Sequence, residues 1–412
     1  MVTTAPRSGG RWPVHFTVVL LLCAATFISY IDRTNISVGA IAMQAQFSWS
    51  ETQKGLVLSS FFVGYILMMA ASGALAHRFG GKAVLGIAVI WWSLCTMLTP
   101  AAALVSLPTL VVARIALGLG EAAVFPASIN MIGRWVPPLQ RSRAVGLLAS
   151  SLYLGTVFSL PAAGWLVREF GWPMPFYAFG AIGLVWAVAW FARIKGDGGV
   201  DQPVESVQSA IPWARLLRLP AVWAIVVAHF CHNWSLYLLL AWLPSYFKST
   251  FGVSLVNAGI LSAAPWLAGF LACNLAGIAA DHLLRTGRSA TFVRKMMMVF
   301  GLGGVALFIL QLPAAPSVTA GVILTSCAAG ALSISNAGFA TNCFDIAPRH
   351  SGVIWGISNT FGTLPGIIGV YVTGWLVDRT GSYAVPFFVT GGIAIFGLIF
   401  YLLFASGERK IE

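Results

Sequence analysis

The octapeptide GWLVREFG at 164–171 returns as GWLVDRTG at 374–381. Each copy is followed by proline, phenylalanine and a second aromatic residue, Pro175-Phe176-Tyr177 and Pro386-Phe387-Phe388. A looser echo links GALAHRFGG at 73–81 with GIAADHLLRTG at 277–287. Chance likeness between glycine-rich helices does not readily give an identical G-W-L-V-x-x-x-G at matching places. The chain reads as one plan used twice.

The material of that plan is apolar. Of 412 residues, 58% are hydrophobic and 9% charged, with a mean hydropathy of +0.85. A soluble domain carries roughly 25% charged residues, so this composition belongs to a polytopic membrane protein. A helix needs about 20 apolar residues to cross the hydrocarbon. Twelve runs meet that need, at 14–43, 53–76, 83–104, 107–133, 143–167 and 173–193, then 219–247, 257–281, 293–313, 318–343, 352–377 and 384–405. The first run is too long for the apolar core of a cleavable leader and is read as the first span. The expected fold is an all-α membrane protein of twelve transmembrane helices in two six-helix halves. The halves are residues 1–194 and 218–412, and the polar segment 195–217, rich in Gly, Pro, Asp and Glu, is a linker between them. Parallel repeats of this kind are the organisation of secondary transporters that rock around a midplane site.

Charge sets the orientation. With both termini on one side, the segments of that side hold 18 of the 24 Lys and Arg, from Arg7 and Arg11 to Arg409 and Lys410. The other side holds Lys54, Arg168, Lys248 and Arg379. By the positive-inside rule both termini are cytoplasmic, and the expected location is the cell inner (cytoplasmic) membrane. The same asymmetry accounts for most of the net charge of +12 without nucleic acid as a partner. The six cysteines lie in apolar spans without CxxC spacing and read as small hydrophobes, not as a metal site or disulfide framework. Nothing in the chain resembles a nucleophile–base constellation, so no enzyme and no bound cofactor is expected.

Four charged residues lie deep in spans: Asp32 and Arg33 in SYIDRTNIS (29–37), and Arg114 and Glu121 in the fourth span. Each costs at least about 2.5–3.5 kcal/mol at the centre of a lone helix, so each needs a partner or a watery cavity. Arg114 and Glu121 are seven residues apart, close to two turns, and share a face about 10 Å apart. One alternative is a buried ion-pair cluster that only holds helices together, although apolar replacements often do that as well. The other is a site. A guanidinium fork matches a carboxylate or phosphate, which makes Arg33 and Arg114 candidates for an anion. A partly desolvated carboxylate can gain and lose a proton, which makes Asp32 and Glu121 candidates for coupling.

YIDRTNISV resembles the first-helix motif of the anion:cation symporter group of the major facilitator superfamily. That group includes bacterial sugar-acid permeases, plant plastid anion transporters, sialin and the vesicular glutamate transporters. The likeness runs nearly end to end, through SSFFVGY (59–65), GRWVPPLQRSRAVG (133–146) and FGWPMPFYAFG (170–180). It continues in HFCHNWSLYLLLAWLPSYF (229–247) and FDIAPRHSGVIWGISNTFGTLPGIIG (344–369). The resemblance implies the major facilitator fold and import of an organic or inorganic anion, usually with protons and sometimes with sodium. It implies Asp32 and Glu121 as proton-coupling carboxylates, Arg33 as substrate-binding, and Arg114 as the arginine that pairs with Glu121.

Two departures stand out. The loop after the second span carries His77, before Arg78, where the superfamily pattern has Asp. The counterpart in the second half, Asp281, is retained. His232 stands where some glutamate-carrying relatives have Arg, which speaks against glutamate. Further substrate-contact candidates are Tyr30 and Tyr65 in the first half, and His232, Asn233, Ser358 and Asn359 in the second. His229 reads as a packed histidine. Two arginines with neutral donors suit a hydroxylated or aromatic carboxylate better than phosphate. The expected function is proton symport of a carboxylate by alternating access, driven by the proton gradient alone. The alternative is sodium-coupled phosphate or anion transport. The expected partners are the anion and the lipid bilayer, with the chain acting as a monomer.

Overall fold

The computed structural model describes residues 14–196 and 212–411. Arg7, Arg11 and most of the expected linker lie outside the described residues. Among those described, twelve helices are long and apolar enough to cross a membrane. They are α1 (Val14–Phe47), α2 (Glu51–Phe79), α3 (Gly81–Val105), α4 (Leu107–Trp135), α5 (Pro138–Phe170) and α6 (Met174–Arg193). After a short helix, Trp213–Arg218, come α7 (Pro220–Phe251), α8 (Leu255–Arg285), α9 (Ala290–Ala314), α10 (Val318–Ile346), α11 (Ser351–Thr380) and α12 (Ala384–Phe404). Trp213–Arg218 lies in the stretch expected as linker, so the end of that stretch is helical.

Local chemistry explains where these helices start and break. Ser50, Ser106, Ser254 and Ser317 each accept a hydrogen bond from the backbone N–H three residues on. Each thereby caps the following helix, because the first N–H groups of a helix have no partner within it. Helix α4 is interrupted by a turn just after Glu121. Pro126 has no N–H to offer the Ala122 carbonyl, and the Ser72 hydroxyl of α2 donates to that carbonyl instead at 3.2 Å. Large apolar side chains such as Leu20, Ile87, Val188 and Leu403 stay exposed on the outside of the bundle, where lipid is their solvent.

The first six helices meet the last six along two main seams, α2 against α11 and α5 against α8, with α1 touching α7 between them. Glycine makes the seams. A Cβ on Gly374 would collide with the Glu51 carbonyl, one on Gly259 with the Leu160 carbonyl, and one on Gly366 with the Phe62 ring. A Cβ on Gly164 would press on Val256 at 3.2 Å. Small residues let helix backbones approach this closely. These contacts lie in the half of the molecule away from the linker. Toward the linker, a Cβ on Gly73, Gly146, Gly277, Gly352 or Gly356 would meet no described atom within 4 Å. The halves are therefore closed together at the face opposite the linker and less tightly packed at the linker face.

Polar contacts seal the closed face. The Asp378 carboxylate, at the end of α11, accepts from the Glu51 N–H at 2.7 Å, the Thr52 N–H at 2.6 Å and the Thr52 hydroxyl. It caps the N-terminus of α2 from across the seam, where the helix dipole favours negative charge. Lys54, counted from sequence among the outer-loop charges, is 2% exposed. Its ammonium pairs with Glu51 at 2.6 Å, donates to Gln44 at 2.8 Å, and lies 5.0 Å from the Trp242 ring of the second half.

Asp378→Ala should loosen this face. In a background with the native cysteines replaced, an A241C thiol should react slowly with a membrane-impermeant maleimide added opposite the linker face. Adding Asp378→Ala should raise that rate severalfold. An unchanged rate would mean that Asp378 caps a helix without holding the halves together.

Candidate functional site

The membrane charges expected from sequence do converge, on α1 and α4 beside the seam with α7. Ser29 and Arg33 are four residues apart on α1 and so share a face. Both reach Glu121 at the break in α4. The Ser29 hydroxyl donates to Glu121 Oε2 at 3.0 Å, and Arg33 Nη2 and Nε donate to the same oxygen at 2.9 and 3.2 Å. Arg33 Nη1 lies 3.4 Å from the Tyr30 hydroxyl. Its guanidinium is boxed by the rings of Tyr30, Phe61 and Tyr65, with centroids 4.7, 4.8 and 4.9 Å away. Cation–π contact of this kind stabilises a desolvated guanidinium.

The expected pairing of Arg114 with Glu121 is corrected here: the partner of Glu121 is Arg33. Two turns of α4 separate Arg114 from Glu121, while α1 presents Arg33 at the level of the carboxylate. Arg114 is 1% exposed, and its Nε and Nη1 have no hydrogen-bond partner. Its guanidinium lies 5.6 Å from the Phe61 ring centroid, so Phe61 contacts both arginines. Asp32 is fully buried with both carboxylate oxygens unpartnered, as is Glu121 Oε1. Its charged neighbours are Glu121 and Arg114, and the Trp92 indole N–H of α3 faces it. A buried charge without an ion-pair partner is costly, and among the described residues Asp32 and Arg114 are the two members of the group outside an ion pair.

A cavity opens between α1, α2, α4 and α7. It is narrow, with about 20 Å³ of free space, and is lined by Arg33, Arg114, Ser37, Leu58, Phe61, Phe62, Tyr237 and Leu240 among others. Sequence reading missed Ser29, Phe61, Phe62 and Tyr237 here. Helical spacing carried a signal for two of them, since Ser29 is one turn before Arg33 and Phe61 one turn before Tyr65.

The second-half candidates are engaged elsewhere. His232 Nδ1 bonds the Ser335 hydroxyl at 2.7 Å, and the Asn233 amide donates to the Gly362 carbonyl at 2.6 Å. Ser358 bonds His229 Nδ1 at 2.9 Å. His229 also packs against the rings of Phe339 and Trp355. Asn359 reaches across the seam, its amide 3.0 Å from Met69 Sδ. His77, Arg78 and Asp281 are exposed at the linker face, and among the described residues none of them is in an ion pair.

Residues 22–370 match the Major Facilitator Superfamily. The chain belongs to that superfamily. Within it, this facilitator is 39% identical to "Sodium-dependent phosphate transport protein 1, chloroplastic" of Arabidopsis thaliana, covering 98% of this chain and 81% of that protein. It is 38% identical to "Ascorbate transporter, chloroplastic" of the same plant, over 98% of this chain and 77% of that one. It is also 38% identical to "Probable anion transporter 4, chloroplastic" of Oryza sativa subsp. japonica, over 98% of this chain and 70% of the relative. The fold is shared with a bacterial homolog of the human lysosomal transporter Spinster in an inward-facing conformation. The TM-score is 0.80 at 20% identity, over 96% of this chain and 97% of that one. It is also shared with a D-xylose-proton symporter, with a TM-score of 0.79 at 17% identity, over 96% and 99%. The multi-pass membrane expectation stands. The cell inner membrane does not: these plant relatives are chloroplastic, which points to a plastid membrane.

The ion pair sets an order of stabilities. Glu121→Leu leaves Arg33 buried without its carboxylate and should destabilise the protein by roughly 3–5 kcal/mol. Adding Arg33→Leu should recover most of that loss, and Arg114→Leu should raise the apo melting temperature. Thermal unfolding in detergent reads all three. Equal melting of the single Glu121 variant and the double variant would show that the pair does not act as a unit.

Proposed function

We propose that this facilitator carries an organic anion, a carboxylate, into the compartment its linker face adjoins. Transport is by proton symport through alternating access. The observation that carries the reading is the joint lining of one cavity by Arg33 and Arg114, beside two buried carboxylates. Arg114 has a fork with unspent donors, the group best suited to take the anion. Arg33 is committed to Glu121 and meets the cavity with its remaining surface. A second negative charge arriving between the arginines competes with Glu121 for Arg33. A Glu121 that loses its cation is better accommodated as the neutral acid, and that is the coupling step. Asp32, outside the ion pair, is the second proton carrier. The seams at α2/α11 and α5/α8 are the surfaces over which the halves would rock. Tyr30 and Tyr65 box Arg33 and orient it. His77, Arg78 and Asp281 belong to the gate at the opposite face.

A second reading is sodium-coupled phosphate transport. It is favoured by the name of the 39% identical Arabidopsis relative, "Sodium-dependent phosphate transport protein 1". Purified protein in liposomes decides. Uptake of a bound carboxylate should rise with an inward proton gradient, and Glu121→Gln should abolish that dependence. Uptake indifferent to protons, driven by sodium and competed by phosphate, would establish the second reading instead.

A further inference from the structure

We infer that the carried anion is an aromatic carboxylate. Polyhydroxylated acids and phosphate fit the same cavity poorly. The inference rests on the anion-transport reading above and narrows it.

The cavity offers charge in one place and apolar surface in most others. Beyond Arg33 and Arg114, its wall includes Leu58, Phe61, Phe62, Tyr237 and Leu240. Ser37 also lines it, but its hydroxyl is spent on the Thr34 carbonyl at 2.7 Å. Phe62 and Tyr237 come from opposite halves of the protein, and their ring centroids are 4.4 Å apart. The two rings already touch, and a ligand ring lying against their shared edge would gain aromatic contacts from both halves at once. Such a ligand ties substrate binding to closure of the seam.

A sugar acid asks for something else. Each of its hydroxyls needs a partner when buried, and each one left without weakens binding by roughly tenfold. Three neutral candidates of the second half are already bonded within that half, His232 to Ser335, Asn233 to the Gly362 carbonyl and Ser358 to His229, and the Tyr237 hydroxyl on the wall cannot by itself serve every hydroxyl of a sugar acid. Phosphate would use the guanidinium forks but leave the aromatic wall without a contact.

The test titrates the full-length purified protein with benzoate, gluconate and inorganic phosphate by calorimetry, at fixed ionic strength. Benzoate should bind at least tenfold tighter than the other two. Arg114→Ala should abolish its binding. Tyr237→Ala should weaken it at least fivefold, and Tyr237→Phe, which keeps the ring, should not. The wild-type ranking alone suffices if a variant fails to fold. Gluconate or phosphate binding as tightly as benzoate, and lost in Arg114→Ala, would overturn the aromatic inference and leave the anion reading in place. No binding by any of the three, or binding that survives both Arg33→Ala and Arg114→Ala, would overturn both.

Discussion

Backbone contact without side chains between holds this molecule in its observed state. Gly374 brings α11 onto the Glu51 carbonyl, and Gly164 brings α5 onto the first turn of α8. These are the first residues of the two GWLV copies with which the sequence opened to reading. The repeat thus marks the same structural task in each half, which is to receive the N-terminal end of a helix from the other half. The copies differ where function requires it. Asp378 in the second copy caps α2 across the seam, whereas its counterpart Arg168 pairs with its own neighbour Glu169 at 2.5 Å. At the closed face the α2/α11 seam is therefore latched by charge and hydrogen bonds, whereas on the other side Tyr153 of α5 bonds the Ser333 hydroxyl of α10 at 3.1 Å.

Closure at that face determines what the interior can be. The cavity beneath it is walled by residues from α1, α2, α4 and α7, so it exists only where the halves meet. Desolvation there strengthens electrostatics and penalises every unmatched group. The four membrane charges divide under this pressure into an ion pair, Arg33 with Glu121, and two outside it, Asp32 and Arg114. The unspent guanidinium gives an incoming anion a reason to enter, and the shared Arg33 gives it a means to disturb Glu121.

Much of this was legible in the residues. Hydropathy gave twelve spans to within a few residues of the helices, because lipid requires long apolar runs whatever the neighbours do. The isolation of Asp32, Arg33, Arg114 and Glu121 in those runs flagged the site, because charge in hydrocarbon is too costly to be incidental. Other features were not legible. Spacing along α4 puts Arg114 and Glu121 on one face but does not say which α1 residue stands level with either. The donors of His232, Asn233 and Ser358 look available in sequence, and only packing shows them engaged by their own half.

The sequence by itself determined the helices, their number, the twofold plan and the four charges deep in the spans. Each of these follows from the chemistry of single segments against lipid. Only the tertiary structure decided that Arg33, not Arg114, holds Glu121, that Asp378 latches α2, and that Phe62 and Tyr237 complete one wall from two halves. Those are relations between helices, set by rotation and depth of packing, and no property of one segment encodes them.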